Sequence, residues 1–310
     1  MKKVEILKLE SLSREPMVIN GFLFEGNSIH AQKVAIIGAM QGDALLPLHC
    51  SSQLVNFLNN TIKQTKIFGD ILVIPSINHY ALNIGEKYWP IDKTNLNMMF
   101  PGYNTGETTQ RIAAKIFEAL QGYDYGISLE INSDQTTSIP HIKLLKTGWE
   151  DIDGAKEFGF KLIHHKELES IDTVTLQYNW QLWETKAYSV MCPSNHYIDK
   201  KNSDHILQAL IRFLNQKNVI DYNIYNAYAS SLITKRDIKV IKTPKSGIYT
   251  TFKFPGEYIY KGELIGQVTN SLTGEVVHKF KARQNGMIIS VFKNALIIEN
   301  SIVYKIAKIG

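Results

Sequence analysis

Ile36-Ile37-Gly38-Ala39-Met40-Gln41-Gly42-Asp43-Ala44 is the stretch from which the fold can be read. Val34 to Gly38 is an unbroken apolar run ending at a glycine, and from Leu45 to Leu58 apolar residues recur at helical spacing. Strand, turn and helix therefore follow one another. Ile71-Leu72-Val73-Ile74 predicts a second buried strand closed by Pro75, whose ring removes a ladder donor. Ser76 to Tyr103 has no sustained period and is rich in Asn, Pro and Gly, so a long ordered loop is expected there, a type of segment that usually carries function. Ile112, Ala113, Ile116, Phe117 and Leu120 mark one helical face stopped by Gly122, and Tyr125 to Ile131 reads as another core strand. Ser189 to Pro193 is a short strand, followed by an amphipathic helix over Asp204 to Asn215 with Ile206, Leu207, Leu210, Ile211 and Leu214 inward. Such alternation argues for an α/β fold whose mostly parallel sheet is covered on both sides.

After about residue 238 the helical period disappears. Lys245 to Tyr249, Pro255 to Gly266 and Asn285 to Ile289 are short β-type runs punctuated by glycine, which predicts a small all-β unit. The expected division is an α/β domain over 1–238 and a β domain over 239–310. The glycine rhythm of the second resembles the barrel-sandwich module of biotinyl-type domains. It has no lysine in a Met-Lys-Met-like hairpin tip, so no carrier role is expected.

The chain of 310 residues, 44% hydrophobic, is long enough to bury one sizeable core and a smaller second one. Its formal charge of +5 comes from 34 basic and 29 acidic residues interspersed along the sequence, without a basic arm, so nucleic acid is not an expected partner. Glu5 and Glu10 interrupt any apolar leader, and no segment approaches 18 consecutive apolar residues, so no membrane partner is expected. Two cysteines, Cys50 and Cys192, point to a reducing compartment; the cytoplasm is expected.

The turn from Gly38 to Ala44, read with Asn95-Leu96-Asn97-Met98-Met99-Phe100-Pro101-Gly102, resembles the succinylglutamate desuccinylase/aspartoacylase family of zinc-dependent amide hydrolases. There a Gly-x-His-Gly-Asn/Asp-Glu turn is followed by Asp-Leu-Asn-Arg-x-Phe-Pro-Gly, and a small β module follows the catalytic domain. The resemblance implies a zinc-carboxypeptidase-like mixed sheet of about eight strands flanked by helices. It also implies a zinc held by a His and a Glu of the first turn and by a second His in an Asp-Leu-His-Ser strand, with one open position for chemistry.

At the corresponding places this sequence has Gln41, Ala44 and Asn132, the last within Leu129-Glu130-Ile131-Asn132-Ser133. The strand that supplies the family's general base matches Ser189 to Pro193 and places Met191 there, and the substrate-clamping arginines fall at Lys87 and Met98 while Asn97 is kept. Neutral amides are poor zinc ligands, Ala44 offers no donor, and Lys lacks the bidentate fork of Arg. The expectation is a metal-free pocket with Gln41, Asp43, Lys87, Asn97, Glu130, Asn132 and Cys192 as candidate ligand-binding residues. In a strand, residues two apart share a face, so Glu130 and Asn132 point together into that pocket. The Gln41 amide is expected to donate to Glu130, with Lys87 as counter-ion, because a buried carboxylate needs a partner.

The leading function is a catalytically degenerate relative of N-acyl-amino-acid amidohydrolases that binds a small amino-acid derivative or peptide end, or acts as a partner subunit. No cofactor is expected on this reading. A homo-oligomer, or pairing with an active paralogue, is compatible with it. The alternative is an active deacylase or carboxypeptidase-like metallohydrolase, holding zinc or a harder cation in a site rebuilt from Asp43, Asp134, Glu130 and His49 or His79. Other side chains carry weaker signals. His164-His165 is expected on an exposed helix end or loop, and Cys192 with His196 is read as a buried thiol rather than a dyad. Tyr178, Trp180 and Trp183 form either a pocket mouth or sheet-face core, and Arg111 is expected to tie the long loop to the sheet.

Overall fold

The computed structural model describes residues 1–11, 13, 15–61, 66–131, 135–193, 198–224 and 227–308. Asn132, Asp134 and His196 lie outside them. The strands of the first part of the chain are β1 (Lys2–Leu9), β2 (Met17–Phe24), β3 (Val34–Ala39), β4 (Ile71–Ser76), β5 (Tyr125–Ile131), β6 (Thr136–Ser138), β7 (His141–Lys146), β8 (Leu162–Glu167), β9 (Lys186–Cys192) and β10 (Ser231–Ile233). The helices are α1 (Leu45–Thr61), α2 (His79–Ile84), α3 (Thr108–Ala119), α4 (Ile152–Lys156), α5 (Leu176–Leu182) and α6 (Lys200–Gln216).

Nine of these strands form one mixed sheet in the order β1-β2-β4-β3-β5-β9-β7-β8-β10, one more than the resemblance implied. The run β4-β3-β5-β9 is parallel, while β7 enters antiparallel to β9. Successive side chains of a strand point to opposite faces, so each strand feeds two apolar layers. Val34, Ile36, Ile127, Leu129 and Val190 meet Leu46, Leu54 and Leu58 of α1 and Ile206, Leu210 and Phe213 of α6. On the other face, Ala35, Ile37, Leu72 and Ile74 meet Ile112 and Ile116 of α3 and Leu176 and Trp180 of α5. Trp180 is thus sheet-face core, and Trp183 is half exposed at its edge, ring to ring with Phe117.

The segment expected as a loop from Ser76 to Tyr103 carries the short α2 and a 3-10 turn over Leu96–Met98. Six residues are too few to show a helical period; the helix is announced by Asn78, whose side chain accepts from the Ala81 N–H at 3.3 Å, and stopped by Gly85. Arg111 is exposed and does not tie this loop to the sheet; the loop is held to β3 by the Ile77 N–H donating to the Ala39 carbonyl at 3.1 Å and to α3 by the Tyr103 N–H donating to the Gln110 carbonyl at 3.1 Å. His164 and His165 belong to β8 rather than to an exposed helix end.

The remaining strands are β11 (Ile238–Lys242), β12 (Gly247–Thr251), β13 (Tyr258–Ile259), β14 (Leu264–Thr269), β15 (Val276–Lys281), β16 (Gly286–Phe292), β17 (Leu296–Ile297) and β18 (Ile302–Ala307). They form two antiparallel sheets, one ordered β11-β18-β16-β13 and the other β15-β14-β12-β17, around a core that includes Tyr249, Ile265, Val268, Phe280, Ile288 and Tyr304. β6 leaves the first part of the chain and pairs with β16, so the C-terminal sheet borrows a strand from the segment that leads into β7. Leu162 and Ile233 pack with Met287, Ile289 and Ala307 across this junction. Among the described residues no helix is long and apolar enough to cross a membrane.

Two glycines shape the turn after β3. A Cβ on Gly38 would lie 2.3 Å from the Pro75 carbonyl oxygen, and one on Gly42 would lie 2.2 Å from the backbone of Ala81 in α2. Neither backbone can withdraw, so the turn closes this tightly only without side chains there. Gly42→Ala is expected to cost about 3 kcal/mol of unfolding free energy in a urea titration, because the obstacle is main chain rather than a flexible side-chain end. A loss below about 0.5 kcal/mol, the range of an ordinary surface change, would show that α2 moves freely.

Candidate functional site

Strand register assembles the site from three non-adjacent segments. Ser128 of β5 is paired with Ser189 of β9, and Ser189 with Lys143 of β7, so the three share one row across the sheet. One row on, Glu130, Met191 and His141 stand side by side on the same face. The parallel pairing of β7 with β8 extends the first row to His164.

Within these rows Glu130 is engaged by three donors. Its Oε1 accepts from Ser189 Oγ at 2.7 Å and Ser128 Oγ at 2.9 Å, and its Oε2 accepts from Lys143 Nζ at 2.8 Å. Both charged side chains are largely buried. Burial alone would raise the carboxyl pKa; the Lys143 charge and hydrogen bond, with the two hydroxyls, outweigh it and hold Glu130 below the usual carboxylate range. The counter-ion is therefore Lys143, not Lys87, and no hydrogen bond joins Gln41 to Glu130. Two serines and a lysine of the same sheet face reach the carboxylate first. Lys87 instead braces the turn through its backbone, its carbonyl accepting from the Gly42 N–H at 3.3 Å, and its ammonium lies 5.4 Å from the Tyr88 ring.

Around this pair His141 and His164 are held neutral. His141 accepts no proton readily: burial pushes its pKa down to about 4, with Lys143 and Lys305 adding to the effect and the Ile139 carbonyl, 2.8 Å from Nδ1, opposing it. Burial likewise brings His164 down to about 4, helped by His141, Lys305, Lys143 and Lys166. Lys305 arrives from β18 of the C-terminal sheet, so this basic layer is shared across the junction. His165 lies beside Glu150, Nε2 to Oε1 at 2.9 Å.

Beside Glu130 lies a cavity of about 30 Å³ lined by Gln41, Ala44, Asn97, Glu130 and the apolar Met40, Leu129 and Ile131. That is room for a water or a ligand's end group, not for a whole metabolite. Asn97 is 8% exposed, held in the 3-10 turn by its N–H to Asn95 Oδ1 at 3.2 Å, and its own Oδ1 has no hydrogen-bond partner. A buried acceptor without a donor marks a place for one. Of the candidate residues, Gln41, Asn97 and Glu130 thus meet at one cavity, Asp43 is half-buried in the adjoining turn, and Asn132 is outside the described residues. Cys192 is taken out of the pocket by strand alternation: it is fully buried on the opposite face, in the layer under α1 and α6, where burial pushes its thiol pKa well up. His79 is turned away too, Nε2 lying 3.2 Å from the Ser76 carbonyl oxygen. Among the described residues no three His, Cys, Asp or Glu side chains converge as a metal-binding group.

Sequence reading missed Ser128, Ser189, Lys143 and His141. Their signal was present as alternation: polar residues stand two apart in Ser128-Leu129-Glu130 and in His141-Ile142-Lys143, inside otherwise apolar strands.

Residues 30–147 match the family model described as the Succinylglutamate desuccinylase/Aspartoacylase catalytic domain. Over this segment, about two fifths of its length, the chain is similar to the catalytic domain of that family. The fold agrees over nearly the full length. A succinylglutamate desuccinylase from a Silicibacter species superposes with a TM-score of 0.80 at 16% identity, covering 99% of this chain and 95% of that one. The product-bound ectoine utilization protein EutE (DoeB) from Ruegeria pomeroyi gives 0.78 at 18%, covering 97% and 93%. An aspartoacylase family protein from Mesorhizobium loti gives 0.77 at 16%, covering 100% and 95%. At such identities the likeness is one of fold. No curated protein matches the chain in sequence.

Removing one partner of the buried pair should be far more harmful than removing both. Lys143→Met is expected to cost about 3–5 kcal/mol in chemical denaturation, and adding Glu130→Gln to that variant to restore most of it. An additive double variant would mean that the two side chains do not act as a pair. His141 supplies a pH signature. Its unfolded counterpart titrates near 6.5, so between about pH 6.5 and 4 the unfolded chain binds more protons and stability falls as pH falls, by at most about 3 kcal/mol. His141→Gln, which keeps a donor for the Ile139 carbonyl, should flatten that part of the stability–pH curve; an unchanged slope would assign it to other groups.

Proposed function

We propose that this chain is a binding protein rather than a zinc hydrolase, and that its pocket takes the donor-bearing end of a small amino-acid derivative or peptide. The observation that carries the reading is the engagement of Glu130 by three donors of its own sheet face. Its carboxylate, the only one lining the cavity among the described residues, already has a cation and two hydroxyl donors. A catalytic zinc needs three protein ligands and an open position. Gln41, Ala44 and Asn97 supply two neutral amides and a methyl group, a donor set that does not fit zinc. The Met191 side chain, at the place where the family resemblance puts the general base, can neither take nor give a proton.

What the pocket offers instead is hydrogen bonding. Asn97 Oδ1 awaits an N–H or O–H, and the Gln41 amide can both donate and accept. An amide or ammonium nitrogen of an amino-acid derivative satisfies the first; its carbonyl or carboxylate oxygen satisfies the second. The active-hydrolase alternative draws no support from this arrangement, since Glu130 is engaged and His79 points to a backbone carbonyl.

Two measurements test the reading on the full chain. Protein purified without chelator and then exposed to zinc should carry clearly substoichiometric metal; stoichiometric, tightly held zinc would overturn the proposal. In a thermal-shift panel of N-acyl amino acids and dipeptides, at least one class should raise the melting temperature of wild type and lose that effect in Asn97→Ala. A panel with no stabilising member, or one whose effect survives Asn97→Ala, counts against binding at this pocket.

A further inference from the structure

A second concave site lies away from the Glu130 pocket, where α6 and the residues before β8 meet the C-terminal sheets. Two cavities, of about 250 Å³ and about 580 Å³, share Lys201, Asn202, His205 and Tyr228. The smaller also reaches Lys161 and the Pro255–Glu257 turn of the C-terminal part. Together they have the dimensions of a metabolite site.

The charges that bear on His205 in this cleft are positive, those of Arg212, Lys161 and Lys201. Lys161 lies over the Tyr228 ring, 4.9 Å from its centre, and neither Lys161 nor Lys201 has a carboxylate partner among the described residues. The two carboxylates of the lining are engaged elsewhere. Asp204 is paired with Lys200 at 2.6 Å, and Glu257 accepts the Phe254 N–H at 2.9 Å. His205 is packed edge-on against Phe160 at 5.0 Å and Tyr228 at 5.8 Å. Burial, then Arg212, Lys161 and Lys201, lower its pKa, so its neutral ring presents one N–H and one lone pair while the local field stays positive. The Asn202 amide donates one N–H to the Asp199 carboxylate at 2.5 Å and has a second N–H left to give.

We propose that this cleft binds a phosphate-bearing small molecule, its phosphate between Lys161, Lys201, Asn202 and His205 and its organic body against Tyr228 and Pro255. Donors approaching from several directions suit a tetrahedral oxyanion, and lysines bind it as point charges. A planar carboxylate is served better by the bidentate fork of an arginine, and no arginine lines the cleft among the described residues. Because the lining includes Pro255, Gly256 and Glu257, occupation would bridge the nine-stranded and C-terminal sheets.

The test uses the full chain with phenyl phosphate and inorganic phosphate as probes, at constant ionic strength because exposed charges are screened. Phenyl phosphate should bind saturably, perturb the His205 ring resonances and bind more tightly than inorganic phosphate. Lys161→Gln combined with Lys201→Gln should weaken it by about tenfold or more, the loss of about 1.4 kcal/mol in binding. Asn97→Ala should leave it unchanged, which separates this site from the proposed amino-acid pocket. No saturable binding, equal affinity of the double-lysine variant, or a response to succinate as strong as to phenyl phosphate would overturn the proposal.

Discussion

The Glu130–Lys143 pair, with the hydroxyls of Ser128 and Ser189, is the constraint around which the centre of this protein is organised. A carboxylate placed on a buried sheet face costs several kcal/mol unless charge and hydrogen bonds answer it there. The answer here comes from three strands. β5 carries the acid and one serine, β9 the second serine, and β7 the lysine. The antiparallel entry of β7 next to β9 is what brings Lys143 into the row. Burial keeps His141 and His164 neutral, and the positive charges of Lys143 and of Lys305 from the C-terminal sheet add to it. Electrostatics and topology are one arrangement.

The turn from Gly38 to Gly42 takes its shape from backbone contacts. Pro75 and Ala81 press on it from β4 and α2, and the Lys87 carbonyl holds the Gly42 N–H. A frame of this kind does not depend on the chemistry it surrounds, which is why a family resemblance and a fold do not by themselves establish an activity. On our reading the pocket has exchanged a metal's coordination demand for the hydrogen-bond demand of Asn97 and Gln41. The two cavities then divide the labour: a small polar end-pocket on the sheet face, and an open basic cleft at the junction with the C-terminal sheets.

That junction is more than a linker. β6 pairs with β16 and runs directly into β7, so the strand that delivers His141 and Lys143 is anchored at its start by the C-terminal sheet. Lys305 of β18 enters the same basic layer.

Local pattern by itself determined the strand–turn–helix at Val34–Thr61, the core strand Tyr125–Ile131, the helix before Gln216 and the change to all-β structure near residue 238. Each rests on a period, a glycine stop or a run of apolar residues that neighbours in sequence impose on one another. The family resemblance, carried by Gly38–Ala44 and Asn95–Gly102, implied a pocket shared by Gln41, Asn97 and Glu130, and these three line one cavity. Which cation answers Glu130, and which face Cys192 takes, were decided only in three dimensions. Lys87 is nearer the turn in motif order, yet Lys143 lies in register across two strand pairings, and pairing register is a long-range property that no local period encodes. The N-terminal hairpin of β1 and β2 and the short α2 were hidden for a related reason: a two-stranded edge and a single capped turn acquire their stability from the sheet and backbone they pack on, not from their own sequence.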